Sequence, residues 1–305
     1  MPEFICSDLV LDAWESSYVN SEDAVWRSGV SVSQQERQGI LVQHMEILSH
    51  EAAITLCKPI GRYITLQFPS LQRRFQAEFI SGANLVAQAL RELLNRILPS
   101  PKGVQAGTFS ALVACLGNAA ITPDALGPLC AKDLLITGHL KSADPELFTD
   151  FSNLSVITPG VLSATGIESA TLIASAVQAV HPDVVIAVDA MAARTLSRLC
   201  TTVQLCDTGL APGAGIGNHR QILNRETLGV PVIGMGIPTV VNAAALVRDL
   251  AGECPADSLP QCKSMFVAPR EIDILVADGA KLLAYGINCA IHPQLSPEDI
   301  ACFLS

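Results

Sequence analysis

Positive charge is in short supply in this chain. Lys and Arg number 19 against 29 Asp and Glu, for a net charge of −10 at pH 7. No run of Lys and Arg gathers these cations into the basic face with which a protein holds nucleic acid, so direct nucleic-acid binding is not expected. Aromatic residues make up only 5% of the chain, while 50% is hydrophobic. The core must therefore rest on Ala, Val, Leu and Ile, which suits helices packed on a buried parallel sheet. No H-E-x-x-H occurs and the histidines are scattered, so no metal site is expected. The G-x-S-x-G elbow is missing, which argues against an α/β-hydrolase serine triad. None of the 10 cysteines forms a C-x-x-C pair. Most sit in apolar runs, where thiols behave as small hydrophobes, and a reducing compartment follows. The opening Met-Pro-Glu-Phe lacks the pattern of a signal peptide, and no apolar run approaches ~20 residues without a charge or a helix breaker. The expectation is a cytoplasmic protein with no membrane span.

What is present is an alternation of strands and helices. Residues 1–35 read as an irregular acidic segment, 36–100 as a strand and helix addition, and 101–305 as the core of a single domain. Strands are expected over 39–68, 109–116, 155–157, 183–188, 202–206 and 230–235. Helices are expected over 74–97, 125–134, 168–180, 190–199, 239–251, 270–286 and 297–304. This order implies an α/β fold, three-layer αβα, with a mostly parallel central sheet.

Two stretches carry chemistry: C-L-G-N-A-A-I-T-P-D-A-L-G-P at 115–128 and D-V-V-I-A-V-D-A-M-A-A-R at 183–194. Each reads as an apolar strand that delivers one acid, Asp124 or Asp189, to a turn that opens a helix. Strand carboxyl ends are where ligands gather in an open α/β sheet. Two acids meeting there share a proton and activate water. Helix capping is the bland alternative for both. The loop T-G-L-A-P-G-A-G-I-G-N-H-R holds Gly213, Gly215 and Gly217 but breaks the G-x-G-x-x-G spacing. It reads as a backbone wall for an extended peptide, with a phosphate cradle as the alternative. Asp207 reads as a supporting or turn-forming acid. Arg194 and Arg220 read as carboxylate holders or plain ion-pair partners. His139 and His219 are the histidines nearest these loops.

These segments resemble the spore germination protease family. The resemblance runs through G-N-A-A-I-T-P-D-A-L-G-P, V-I-T-P-G-V-L-S-A-T-G-I-E, P-D-V-V-I-A-V-D-A-M-A-A-R, D-T-G-L-A-P-G-A-G-I-G-N and E-T-L-G-V-P-V-I-G-M-G-I-P-T-V-V. It continues at F-V-A-P-R-E-I-D and G-I-N-C-A-I-H, and is loose before residue 60, as in S-D-L-V-L-D-A. It implies a core like that of hydrogenase-maturation proteases and an atypical aspartic endopeptidase with Asp124 and Asp189 as its catalytic residues. It further implies small acid-soluble spore proteins as substrates, a homotetramer in the spore core, no cofactor, and a zymogen that loses a short N-terminal segment. Cleavage after an acidic residue and before a hydrophobic one would make Glu3-Phe4 the self-processing bond. Asn242 stands where the family leads one to expect Asp. Two alternatives remain open: a metal-dependent maturation protease, separable by stoichiometric metal and loss of activity to a chelator, and a non-catalytic module that binds spore proteins without cutting them.

Overall fold

The computed structural model describes residues 7–20, 25–70, 76–98, 107, 109–217, 220–251, 262 and 264–304. The chain begins with α1 (Val10–Asn20), β1 (Val30–Arg37), β2 (Ile40–Ile47), α2 (His50–Leu56), β3 (Gly61–Gln67) and α3 (Gln76–Ile97). It continues through β4 (Ser110–Cys115), α4 (Leu126–Cys130), α5 (Gly138–Ala143), β5 (Asn153–Ile157), α6 (Leu162–Thr165), α7 (Ser169–Val180) and β6 (Val184–Ala193). Then come β7 (Thr202–Cys206), α8 (Arg225–Leu228), β8 (Val232–Asn242), α9 (Ala243–Ala251), β9 (Phe266–Val267), α10 (Ile272–Ile291) and α11 (Pro297–Phe303).

All the strands join one sheet in the order β1-β2-β3-β7-β8-β6-β4-β5, with β9 added beside β8. β8, β6, β4 and β5 run parallel. β7, β3, β2 and β1 continue the sheet as an antiparallel wing. The core is thus the expected α/β sheet, and the addition before residue 100 extends its edge.

Alternation along each strand divides the side chains between two faces. On β4, Ala111, Val113 and Cys115 meet the layer built from α3, α10 and α4, while Leu112 and Ala114 meet the layer that contains α7. On β6, Val184, Ile186 and Val188 take the first face, and Val185, Ala187 and Met191 take the second. Parity therefore puts Asp189 on the α7 face. α1 and α2 cover the wing on that same side, through Val10, Leu11 and Leu56 against Met45, Ile47 and Tyr63.

The structure corrects the sequence expectations in several places, among them α2 within the expected strands of 39–68 and β1 within the expected irregular segment. Residues Val10–Asn20 are helical rather than irregular, because Val10 and Leu11 have an apolar cluster to enter. β6 does not stop at Asp189 to open a helix; it runs on to Ala193, held by β8. β8 in turn runs through Pro238 to Asn242 instead of breaking. Register shifts where Met191 pairs with Pro238 and Ala192 with Val240. Proline, which has no N–H to give, is tolerated in a strand at such an irregularity. Asn242 then caps α9, its Oδ1 accepting from the Ala244 amide at 2.9 Å.

α10 is long and apolar enough to cross a membrane, yet most of it is buried against α3 and the sheet. His292, at its carboxyl end, is 0% exposed and lies 5.4 Å from the Phe151 ring. Burial pushes its pKa down from 6.5 to about 4. The folded chain thus keeps this imidazole neutral, and an unfolded chain binds a proton that the folded one refuses. Its stability contribution is complete above pH 6.5 and is lost as pH falls from there towards 4. One pH unit below 6.5 the loss is about 1.4 kcal/mol. Melting curves should show His292→Leu losing less stability than wild type between pH 7 and 5.5. Equal losses would contradict this assignment.

Candidate active site

β4 ends beside β6, where the Leu116 amide donates to the Val188 carbonyl at 2.8 Å. The chain then turns at Gly117, whose φ of +114° is one that other residues rarely adopt. A Cβ there would fall 2.0 Å from the Asp124 carbonyl oxygen. The turn closes when the Asn118 amide donates to the Asp124 carbonyl at 3.0 Å and to its carboxylate at 2.9 Å. Asp124 therefore points back into its own loop. It caps neither the short 3-10 turn that contains it nor α4, so the helix-capping reading fails for it.

Asp189 sits within β6, 6% exposed, its Oδ1 accepting from the Ala190 amide at 2.9 Å. Across the sheet it pairs with Gly236, which pairs in turn with Gln204 of β7. Directly paired residues project to the same face. The Met191 side chain fills the gap that Gly236 leaves, 3.0 Å from where a Cβ would stand.

The electrostatics single out Asp189. Burial, then the charge of Asp124, then that of Asp8, hold its carboxyl well above the usual range. Burial also raises Asp124, against the pull of the Asn118 amide. Two interacting carboxyls titrate as a pair, and the more deeply buried one keeps the shared proton.

Asp189 also lines a cavity of about 470 Å³, together with Asp8, Lys58, Tyr63, Gln204 and Gly213. Asp124 stands outside that lining. A piece of the N-terminal chain forms part of the cavity wall. The Asp8 amide donates to the Ala192 carbonyl at 3.1 Å. The Asp8 carboxylate accepts from the amides of Ala192 at 2.8 Å and Gly215 at 2.9 Å. The Asp8 carbonyl accepts from Lys58 Nζ at 3.0 Å and Gln204 Nε2 at 3.1 Å. Burial raises the Asp8 pKa, and Lys58 and the two amides oppose it. Leu9, wholly buried, enters the apolar cluster with Leu210 and Leu223. Further along, Asp12 anchors α1 by accepting from the Arg194 amide at 2.7 Å and pairing with the Arg198 guanidinium.

Of the residues singled out in the sequence, Asp189 and Gly213 line that cavity, Asp124 stands near enough for its charge to raise the Asp189 pKa, and Gly215 borders the cavity through its amide bond to Asp8. Asp207 lies elsewhere. It accepts from the Arg62 amide at 2.7 Å and pairs with Arg96 at 3.1 Å, tying β7 to the wing. Arg220 pairs with Glu168 at 3.4 Å on the surface. Gly217 is exposed, with no atom near its missing side chain. His139 is exposed on α5. Glu3, Phe4 and His219 lie outside the described residues. Asp8, Lys58 and Gln204 were missed. The available signal was a pair of acids, Asp8 and Asp12, enclosing the apolar Leu9-Val10-Leu11. Among the described residues, no three His, Cys, Asp or Glu side chains gather as a metal would require.

Residues 8–252 match the germination protease family. A germination protease from Clostridium perfringens is 36% identical over 300 residues, covering 88% of this chain and 89% of the relative. One from Caldanaerobacter subterraneus is 34% identical over 303 residues, covering 89% and 91%. One from a Geobacillus species is 30% identical over 364 residues, covering 97% and 96%. A NiFe hydrogenase maturation protease from Thermococcus kodakarensis is similar over 67% of this chain and 98% of its own, at 19% identity and a TM-score of 0.35, too distant to carry a functional argument. A family match over most of the chain, with identities of this size, makes the assignment plain: the chain belongs to the germination protease family and is a peptidase.

Proposed function

We propose that this chain is an aspartic-type endopeptidase that cuts small acid-soluble spore proteins during germination. The observation that carries the mechanism is a buried Asp189 that feels the charge of Asp124 and lines a cavity able to hold extended chain. Asp189 is the proton donor. Asp124, less buried and stabilised as an anion by the Asn118 amide, is the base.

Asp124 takes a proton from water as the water attacks the scissile carbonyl. Asp189 gives its proton to the oxygen that becomes negative. Asp124, now carrying a proton, delivers it to the departing amine, and the tetrahedral carbon collapses to the acid as one of its two hydroxyls returns a proton to Asp189. Gly213 and Gly215 supply the backbone wall beside the substrate. The same specificity extends to self-processing at Glu3-Phe4. The proposed assembly is a homotetramer in the cytoplasm of the spore core, as in the family that the sequence resembles.

The direct test is D124N and D189N, each purified, checked for an unchanged circular dichroism spectrum, and assayed on a small acid-soluble spore protein. Loss of a positioned acid or base costs about 100-fold or more in kcat. Cutting at the wild-type rate by either variant would remove that residue from the mechanism. The pH profile supplies a second test. Activity rises as pH climbs through the titration of Asp124 and falls as it climbs through that of Asp189, which lies higher. A rate that stays flat into alkaline pH would rule out a protonated Asp189.

A further inference from the structure

The geometry points to the Asn118 side chain as the positioning residue for Asp124: it closes the turn that aims the Asn118 amide, and that amide holds the Asp124 carboxylate in place. The assignment rests on the endopeptidase reading above and deepens it by naming what positions the base.

The loop between β4 and α4 is firmly anchored only at its two ends. At the near end stands Gly117, pressed against the Asp124 backbone. At the far end α4 lies directly on the tip of β4. A Cβ at Gly127 would fall 2.1 Å from the Leu116 carbonyl oxygen and 2.8 Å from the Cys115 carbonyl carbon. Between these anchors, Ala119, Ala120, Ile121 and Thr122 are exposed. The core does not shape this stretch, so its own hydrogen bonds must.

Asn118 supplies most of them. Its Oδ1 accepts from the Ala120 amide at 3.0 Å, a turn in which an Asn side chain replaces a backbone carbonyl. Its carbonyl accepts from the Ile121 amide at 3.0 Å, and the Ile121 carbonyl accepts from the Asp124 amide at 2.8 Å. The Asn118 amide closes the ring on the Asp124 carbonyl and carboxylate. Each of these bonds has Asn118 or Asp124 at one end. Pro123 stiffens the chain just ahead of the acid. An Asp at 118 would make the same turn, but it would set a second negative charge beside the base and raise its pKa. Asn gives the turn without the charge. Among the elements packed on the short turn Thr122–Asp124, β6 brings Asp189, α10 carries Asp273, Asp278 and Lys281, α4 brings the thiol of Cys130, and β8 brings no titratable side chain. Substitution at 118 changes none of these, so its effect on the base reads the aim of the amide.

The test uses the full-length chain, a small acid-soluble spore protein and the variants Asn118→Ala and Asn118→Ser. The first removes the acceptor; the second keeps a hydroxyl that closes the same turn more weakly. Asn118→Ala should lower kcat by about 5-fold or more, the usual effect of one lost hydrogen bond or a slight misplacement, with KM and melting temperature little changed. The acid limb of its kcat profile should move to higher pH, because the amide that favours the Asp124 anion is no longer aimed at it. Asn118→Ser should recover most of both. Wild-type kcat with an unmoved limb in Asn118→Ala overturns the assignment and leaves the endopeptidase reading intact. A loss of kcat that leaves the limb in place overturns it as well. If Asn118→Ala does not fold, the limb is read in Asn118→Ser, where a smaller upward shift supports the assignment and no shift contradicts it. If wild type cuts no spore protein, the endopeptidase reading falls, and carbon-13 titration of the Asp124 carboxyl decides the positioning alone. A higher midpoint in Asn118→Ala than in wild type supports it, and equal midpoints contradict it.

Discussion

The structure turns on one costly placement, a carboxyl group sunk into the sheet at Asp189 with two other acids close enough to raise its pKa. An ionised carboxylate in that position has no ion-pair partner among the described residues, and its single amide, from Ala190, offsets little of the cost. The carboxyl responds with a pKa pushed well above its ordinary value. Asp124 and Asp8 remain better suited to negative charge, the first through Asn118 and the second through Lys58 and two amides. Three acids of one residue type thus hold three different environments within one site.

That arrangement explains the antiparallel wing. Lys58 precedes β3, Tyr63 lies on it, and Gln204 comes from β7, the strand that joins wing to core. Without the wing, the cavity beside Asp189 would lack one wall and Lys58, which lines it. α1 closes the remaining side, fastened by Asp12 and Glu15 to Arg198. With Asp12 1% exposed, this ion pair is held away from water and fixes where the segment before it enters the cavity. The fold therefore positions this cavity and its acids at a seam between a parallel sheet and its antiparallel extension.

Much of the core was legible in the sequence, because apolar strands such as 109–116 and 183–188 follow directly from their composition. Asp124 and Asp189 were legible as acids at the ends of such runs. The continuation of β6 past Asp189 was not, because Ala190–Ala193 has equal claim to be helix until β8 pairs with it. Pro238 misled for the same reason, as a proline at a register shift reads locally as a strand end. Asp207 and Arg220 stand near the Gly213–Gly217 loop in sequence. Their partners, Arg96 and Glu168, lie far along the chain and draw them elsewhere. Lys58 and Gln204 lie 50 and 196 residues along the chain from Asp8, and only tertiary pairing brings them together.

The most direct measurement is a carbon-13 titration of the aspartate carboxyl groups in wild type and D124N. The account expects Asp189 to titrate well above the ordinary carboxylate range in wild type, with a lower midpoint when Asp124 loses its charge. A carboxyl at 189 that titrates in the ordinary carboxylate range, unmoved by D124N, would contradict it.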